Sequence, residues 1–242
     1  VMSGMVITEM IPALGTSVPM AVIFALLIAA VLGFLNGVII TVFKIQPIIV
    51  TLILYIAGRG IAQLMNNGGT IVFSNNAFTK IGLMRIGGTV PIQLVVIVVF
   101  VLATYYIFKN TRFGYYVQAI GENGEASRFS GINTTKVLIC VYIISSVLAG
   151  LAGVFEASRA SCADPNSIGA IAEMDAIAAV AVGGTSINGG KAMVMGTILG
   201  ALIIQLITIT VNMNNIPFAY SRIFKAVIII VAVYAQREKR KS

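Results

Sequence analysis

Few side chains in this sequence could do covalent or metal chemistry. It has eight acidic residues, two cysteines and no histidine. Imidazole catalysis and imidazole ligation of a metal are therefore excluded. Cys140 lies inside an apolar run and Cys162 in a polar segment. That spacing fits no metal site, and a residue within a span rarely reaches a loop partner, so no disulfide is expected. The run Gly183–Lys191 has the glycines of a phosphate loop. However, Lys191 is followed by Ala192 instead of Ser or Thr, and no strand is expected before it. Nucleotide binding there is not expected, nor is any catalytic residue, metal or cofactor. The most conspicuous polar group is Arg59, inside the apolar run 47–65, with Gln63 one turn later on the same helix face. A charge at the bilayer centre costs at least ~2.5 kcal/mol, so such a residue normally faces a cavity or a partner. Arg59 and Gln63 could line a polar path, or Arg59 could sit nearer an interface and pair or snorkel structurally. Asn36, Gln46, Gln205, Asn212 and Asn214 are further polar positions in or beside apolar runs. Each could touch a passing solute or make a helix–helix hydrogen bond.

The elements that position these groups are dictated by composition. Of the 242 residues, 58% are hydrophobic and 10% charged, against about 25% charged in a soluble domain. A soluble enzyme and a disordered tail are both excluded. A bilayer core of about 30 Å needs roughly 20 apolar residues. Runs at 20–43, 47–65, 91–108, 137–155 and 192–211 qualify, and 222–235 becomes long enough if it continues to Gln236. The run 168–183 is short and small-residued, which reads as a half-span or re-entrant element enclosed by other helices. Residues 1–15 read as the remnant of another such element. Val1 stands first and no signal-peptide pattern follows. The expected fold is all-α: a single polytopic helical bundle over 1–242, with about six full spans plus short segments.

The net charge of +8 orients such a bundle and need not imply nucleic acid, because basic residues stay on the cytoplasmic side. Lys44, then Lys109, Arg112, Arg128 and Lys136, then Lys191, then the tail Arg237–Lys241 belong to one set of connections. The opposite set holds Lys80, Arg85, Arg159 and Arg222 beside Glu156, Asp164, Glu173 and Asp175. The loop 109–136 and the C-terminus are expected inside, and 66–90 and 156–175 outside. The acidic outer segment suits docking of a partner protein, or is simply solvated. The basic tail reads as an anchor near anionic lipid. Small residues recur four apart at Ala25, Ala29, Gly33 and Gly37, at Ala149 and Gly153, and at Gly196 and Gly200. These stripes predict close helix packing.

The loop 109–136 is too polar to span. Asn123 can cap a short helix and Gly131 can close it in the left-handed conformation, with Glu125, Ala126, Ser127, Arg128 and Phe129 between. A helix that short is unstable alone in water, so it needs a partner surface.

Glu125-Ala126-Ser127 followed by Gly131 resembles the E-A-A-x-x-x-G coupling motif of ABC importer permeases, with Ser127 replacing the second Ala. The wider string from Gly121 and Asn123 to Gly131-Ile132 looks like the branch serving ribose, xylose, galactose and related sugars. Three further strings carry the same resemblance. They are Glu173 to Val180 ending in Gly183-Gly184-Thr185-Ser186 and Gly189-Gly190-Lys191; Lys225-Ala226-Val227 before the basic tail; and Lys44-Ile45-Gln46-Pro47 through Gly58-Arg59-Gly60 to Gln63. The last, with Ala163-Asp164-x-Asn166, looks most like permeases for furanose sugars such as galactofuranose. Sister permeases for ribose, xylose, nucleosides and a quorum-signal sugar share the frame. Family members usually carry an extra N-terminal region with a Gly-Gly-Ile-Asp-Leu-Ser-like segment, and this sequence is expected to start after it.

The resemblance implies an ABC importer permease fold in a bacterial inner membrane, with no chemistry of its own. It implies ATPase subunits bound through Gly121, Asn123, Glu125, Ala126, Ser127 and Gly131. A second permease chain, identical or paralogous, is implied, with a periplasmic or extracellular sugar-binding protein. A secondary transporter would need acids near the middle of its long spans, and none lie there. A nucleoside or amino-acid permease of the same family is separated poorly by sequence.

Overall fold

A computed structural model describes residues 18–65, 67–72, 76–186, 189–190, 192–214, 220 and 223–228. Residues 1–15 and most of the expected last span, 222–235, lie outside the described residues. Among those described, five helices are long and apolar enough to cross a membrane. The chain is a multi-pass membrane protein.

The spans follow from local chemistry. Helix α1 (Val18–Phe43) carries no charge and runs 26 residues, about 39 Å at 1.5 Å per residue. Lys44 turns the chain with a positive φ of 52°. Helix α2 (Pro47–Met65) starts on Pro47, whose missing N–H loses no bond in a first turn. The Gln46 carbonyl accepts the Ile49 N–H at 3.1 Å. After strand β1 (Ile71–Val72) come helix α3 (Asn76–Leu83) and a hairpin of β2 (Arg85–Ile86) and β3 (Val90–Pro91), turning on Gly87 and Gly88. Helix α4 (Ile92–Asn110) has no buried residue at all, which fits a helix bathed in lipid. Helices α5 (Arg112–Glu122) and α6 (Gly124–Phe129) follow, then α7 (Thr134–Ala160), capped by the Asn133 side chain on the Lys136 N–H at 3.1 Å. Strand β4 (Cys162–Ala163), α8 (Ala172–Val182) and α9 (Val194–Met213) complete the described elements.

The chain divides into two compact units. In residues 1–100 with 133–170, α1 lies along α7 in close contact. A Cβ on Gly33 would stand 2.6 Å from the Tyr142 carbonyl oxygen, and one on Gly37 would stand 2.8 Å from Ile139 Cα. Ala29 meets Gly150, while Ala149 of the α7 stripe is exposed. Phe78 of α3 is fully buried with Ala21, Ala25, Val154 and Ala157. Ser158 of α7 fixes α3: its hydroxyl donates to the Phe78 carbonyl at 2.6 Å and accepts the Gly82 N–H at 2.7 Å. Strand β1 pairs antiparallel with β4, Ile71 opposite Ala163.

In residues 101–132 with 171–242, α8 has 11 residues, about 16 Å, or half a bilayer core. The half-span expectation for 168–183 is met by this helix. It packs on α9 through Ala178, Ala179 and Ile204, where Gly196 and Gly200 let the backbones approach. Asp175, one of the acids expected on the outer side, falls within that half-span. It lies in the first turn of α8 and pairs with Lys225.

Candidate functional site

Helix α6 has six residues and both ends closed by its own sequence. The Asn123 side-chain oxygen accepts the Ala126 N–H at 3.0 Å. Gly131 takes φ +83°, open to glycine at no steric cost. Its N–H donates to the Arg128 carbonyl and the Ile132 N–H to the Ser127 carbonyl, both at 3.1 Å. That pair of bonds is a Schellman closure. Ser127 is buried, and its hydroxyl donates to the Asn123 carbonyl at 2.9 Å. Glu125 and Ala126 are exposed, and the Phe129 ring is 92% exposed. The ring thus stands exposed on a helix too short to be stable by itself in water. Phe129 was not singled out by sequence, because nothing local distinguishes an exposed ring from a buried one.

Helix α5 was also not anticipated, although Thr111 signals it by capping the Gly114 N–H at 3.3 Å. Its end is held by the glycine-rich loop. A Cβ on Gly121 would stand 2.9 Å from the Gly190 nitrogen. The Thr185 hydroxyl closes that loop by accepting the Met193 N–H at 3.0 Å. Residues 187, 188 and 191 lie outside the described residues.

A second polar cluster forms where α2 meets the turn after β4. Arg59 Nη1 donates to the Asn166 carbonyl at 3.1 Å. Gln63 Nε2 donates to Asn166 Oδ1 at 2.9 Å, and Asn166 Nδ2 donates to the Gly68 carbonyl at 2.9 Å. Asp164 holds this turn: Oδ1 accepts the Asn166 N–H at 2.8 Å and Oδ2 accepts the Ser167 hydroxyl at 2.5 Å. The Ser167 hydroxyl, then the Asn166 N–H, lower the Asp164 pKa below its ordinary value by bonding the carboxylate form. The Arg59 guanidinium lies 5.0 Å from the Tyr55 ring centre, within cation–π range. Its Nε and Nη2 are buried without a hydrogen-bond partner among the described residues. The cluster thus gathers a guanidinium, two amides and an aromatic ring between α2 and the turn at 164–167.

Residues 1–233 match the family described as branched-chain amino acid transport system / permease component. The chain belongs to this family. This permease is 39% identical over 225 residues to the ribose import permease protein of Escherichia coli strain K12, covering 91% of this chain and 69% of that protein. It is 42% identical over 214 residues to the ribose import permease protein of Haemophilus influenzae, covering 87% of this chain and 66% of that one. It is 32% identical over 228 residues to the galactofuranose transporter permease protein of Escherichia coli strain K12, covering 93% and 66%. No solved structure matches it.

The remaining candidates of the permease are scattered. Asn36 is buried on α1, and its Oδ1 has no partner among the described residues. Gln46 is exposed and serves α2 through its backbone. Gln205 is exposed on α9. Asn212 belongs to α9, with its side chain outside the described residues. Asn214 donates to the Thr210 carbonyl at 2.8 Å, a local bond.

Proposed function

We propose that this permease forms the membrane path of an ATP-driven importer for a monosaccharide and does no covalent chemistry itself. Helix α6, closed at both ends and presenting Phe129, is the single observation that carries the reading. Partner subunits hydrolyse ATP and grip α6 through Gly121, Asn123, Glu125, Ala126, Ser127 and Gly131. Their closure moves α6 as a rigid body and switches the path between outward and inward access. The loop 109–136 and the C-terminus face the cytoplasm, because basic residues favour that side. A second permease chain completes the path within one transmembrane domain per chain, and a binding protein delivers the sugar from outside.

Arg59 and Gln63, with Asn166 and Tyr55, contact the sugar. Asn36, Gln46, Gln205 and Asn212 are the weaker candidates along the path. Proteins named for ribose are more alike to this chain than the one named for galactofuranose, so a ribose-like sugar leads among the substrates. The family description keeps branched-chain amino acids as the second reading.

The test is affinity purification of the gently solubilised permease with and without alteration of residues 121–132. An ATPase subunit lost on alteration supports the reading. An intact permease that retains no ATPase sinks it. Competition of labelled uptake by ribose, galactofuranose and leucine then separates the substrates.

A further inference from the structure

The boundary between α4 and α5 carries features that sugar transport does not use. Helix α4 ends at Asn110 after 19 residues with none buried, so the edge of the lipid core falls there. Half of the chain's eight tyrosines lie within this corner, at Tyr105, Tyr106, Tyr115 and Tyr116. All four are exposed. Tyrosine gathers at the membrane–water interface, where its ring stays in hydrocarbon and its hydroxyl in water.

A cavity of about 310 Å³ opens among them, lined by Tyr105, Phe108, Lys109, Tyr115, Gln118 and the start of α9. Its walls are braced. The Tyr115 hydroxyl donates to the Lys109 carbonyl at 3.2 Å, and Gln118 donates to the Phe108 carbonyl at 3.4 Å. Lys109 Nζ donates to the Tyr105 hydroxyl at 3.1 Å and lies 5.3 Å from that ring's centre. Lys109 has no carboxylate partner among the described residues. Its ammonium has two further N–H groups, and the Tyr105 hydroxyl, being an acceptor here, keeps its own proton to donate. Three donors and one uncompensated cation at the mouth of an aromatic cavity match the oxygens of a phosphate.

We propose that this cavity binds the headgroup of an anionic phospholipid. The phosphate lies against Lys109 and Tyr105, and Phe108 covers the glycerol. A lipid fits better than free phosphate because of what adjoins the cavity. Leu102, Tyr105 and Lys109 fall on one face of α4, and the first two are exposed. Acyl chains leaving the cavity lie along that bare stripe. A zwitterionic lipid would bring an ammonium group into a cavity with a lysine and no acid. The corner also bears on coupling, since α5 runs from it to Asn123, the cap of α6.

The test uses the whole chain in nanodiscs of phosphatidylcholine with a minor share of phosphatidylglycerol. Native mass spectrometry then counts the lipids that stay bound. The chain is expected to retain phosphatidylglycerol. Lys109→Gln is expected to retain about fivefold less, the effect of removing one basic contact. Tyr105→Phe should weaken retention less, and Lys136→Gln, outside the cavity, should leave it unchanged. Excess inorganic phosphate should not displace the lipid. Equal retention by Lys109→Gln and the parent overturns the proposal, as does equal loss in Lys136→Gln. Displacement by inorganic phosphate makes the cavity a soluble-anion site and also overturns it. Retained lipid with lost ATPase in Lys109→Gln assigns the cavity to protein docking instead.

Discussion

Asp175 and Lys225, 50 residues apart, form a bidentate ion pair, with Nζ 2.8 Å from each carboxylate oxygen. The lysine side chain is 9% exposed. The pair joins the first turn of the half-length helix α8 to a helical segment at 223–228. In a low-dielectric setting an ion pair adds little over apolar packing, but a lone buried charge is costly. The pair is therefore a positional constraint on α8, and its two halves should behave as one unit.

Asp175→Asn should destabilise the detergent-solubilised chain by about 1–2 kcal/mol by stranding the Lys225 ammonium, less than for a fully buried pair because the Asp175 side chain is 40% exposed. Asp175→Leu with Lys225→Met should recover much of that loss. A thermal double-mutant cycle measures the coupling, and purely additive losses would remove the ion pair from this account.

The closure of α6 predicts graded losses. Asn123→Ala should cost about 1 kcal/mol of local stability. Gly131→Ala, at φ +83°, should cost about 1–2 kcal/mol. Both should abolish hydrogen-exchange protection at the Ser127 and Ser130 amides and uncouple ATP hydrolysis from uptake. Phe129→Ala removes an exposed ring and should leave the melting temperature unchanged while weakening ATPase binding. Glu125→Gln should uncouple in the same way, with the chain still in the membrane. Normal transport in all four variants would place coupling elsewhere.

Arg59→Gln and Asn166→Ala should each lower sugar uptake in proteoliposomes by about tenfold, since each removes one or more hydrogen bonds, one of them to a charged group. Arg59→Lys should not rescue, because an ammonium cannot present the guanidinium's fork. Unchanged uptake with lowered stability would make the cluster a structural brace only.

Acid should loosen the turn at 164–167 in a defined window. The folded Asp164 pKa lies below its ordinary value, so its contribution is complete above the ordinary carboxylate range, about 3.9. It fades as pH falls through the lowered folded value. The protection factor of the Asn166 amide should thus be steady from neutral pH down to that range and fall below it. Asp164→Asn should show fast exchange at neutral pH.

Two glycines separate packing from propensity. Gly33→Ala drives a methyl to 2.6 Å from the Tyr142 carbonyl and should force α1 from α7. Gly60→Ala has nothing within 4 Å and should be neutral or stabilise by about 0.5–1 kcal/mol. Equal melting temperatures for the two variants would contradict the close α1–α7 contact.

By itself the sequence determined what depends on neighbours a few residues away. Apolar runs of about twenty residues made spans, with α2 matched at both ends, because length and apolarity suffice in lipid. Asn123 and Gly131 defined α6 because capping bonds reach only three to five residues. The small-residue stripes foretold close helices, since only small side chains permit backbone approach. Tertiary structure alone decided which distant groups met. Arg59 stood out as a charge in an apolar run, yet nothing local named Asn166, 107 residues away, as its acceptor. Asp175 read as one more acid in an acidic segment until folding set it against Lys225. Helix α5 went unread in the sequence, and the cavity at its corner needed the fold to bring the start of α9 beside it. Local bonds follow residue order, whereas long-range pairs depend on how rigid helices stack, and that geometry is written only in the packed chain.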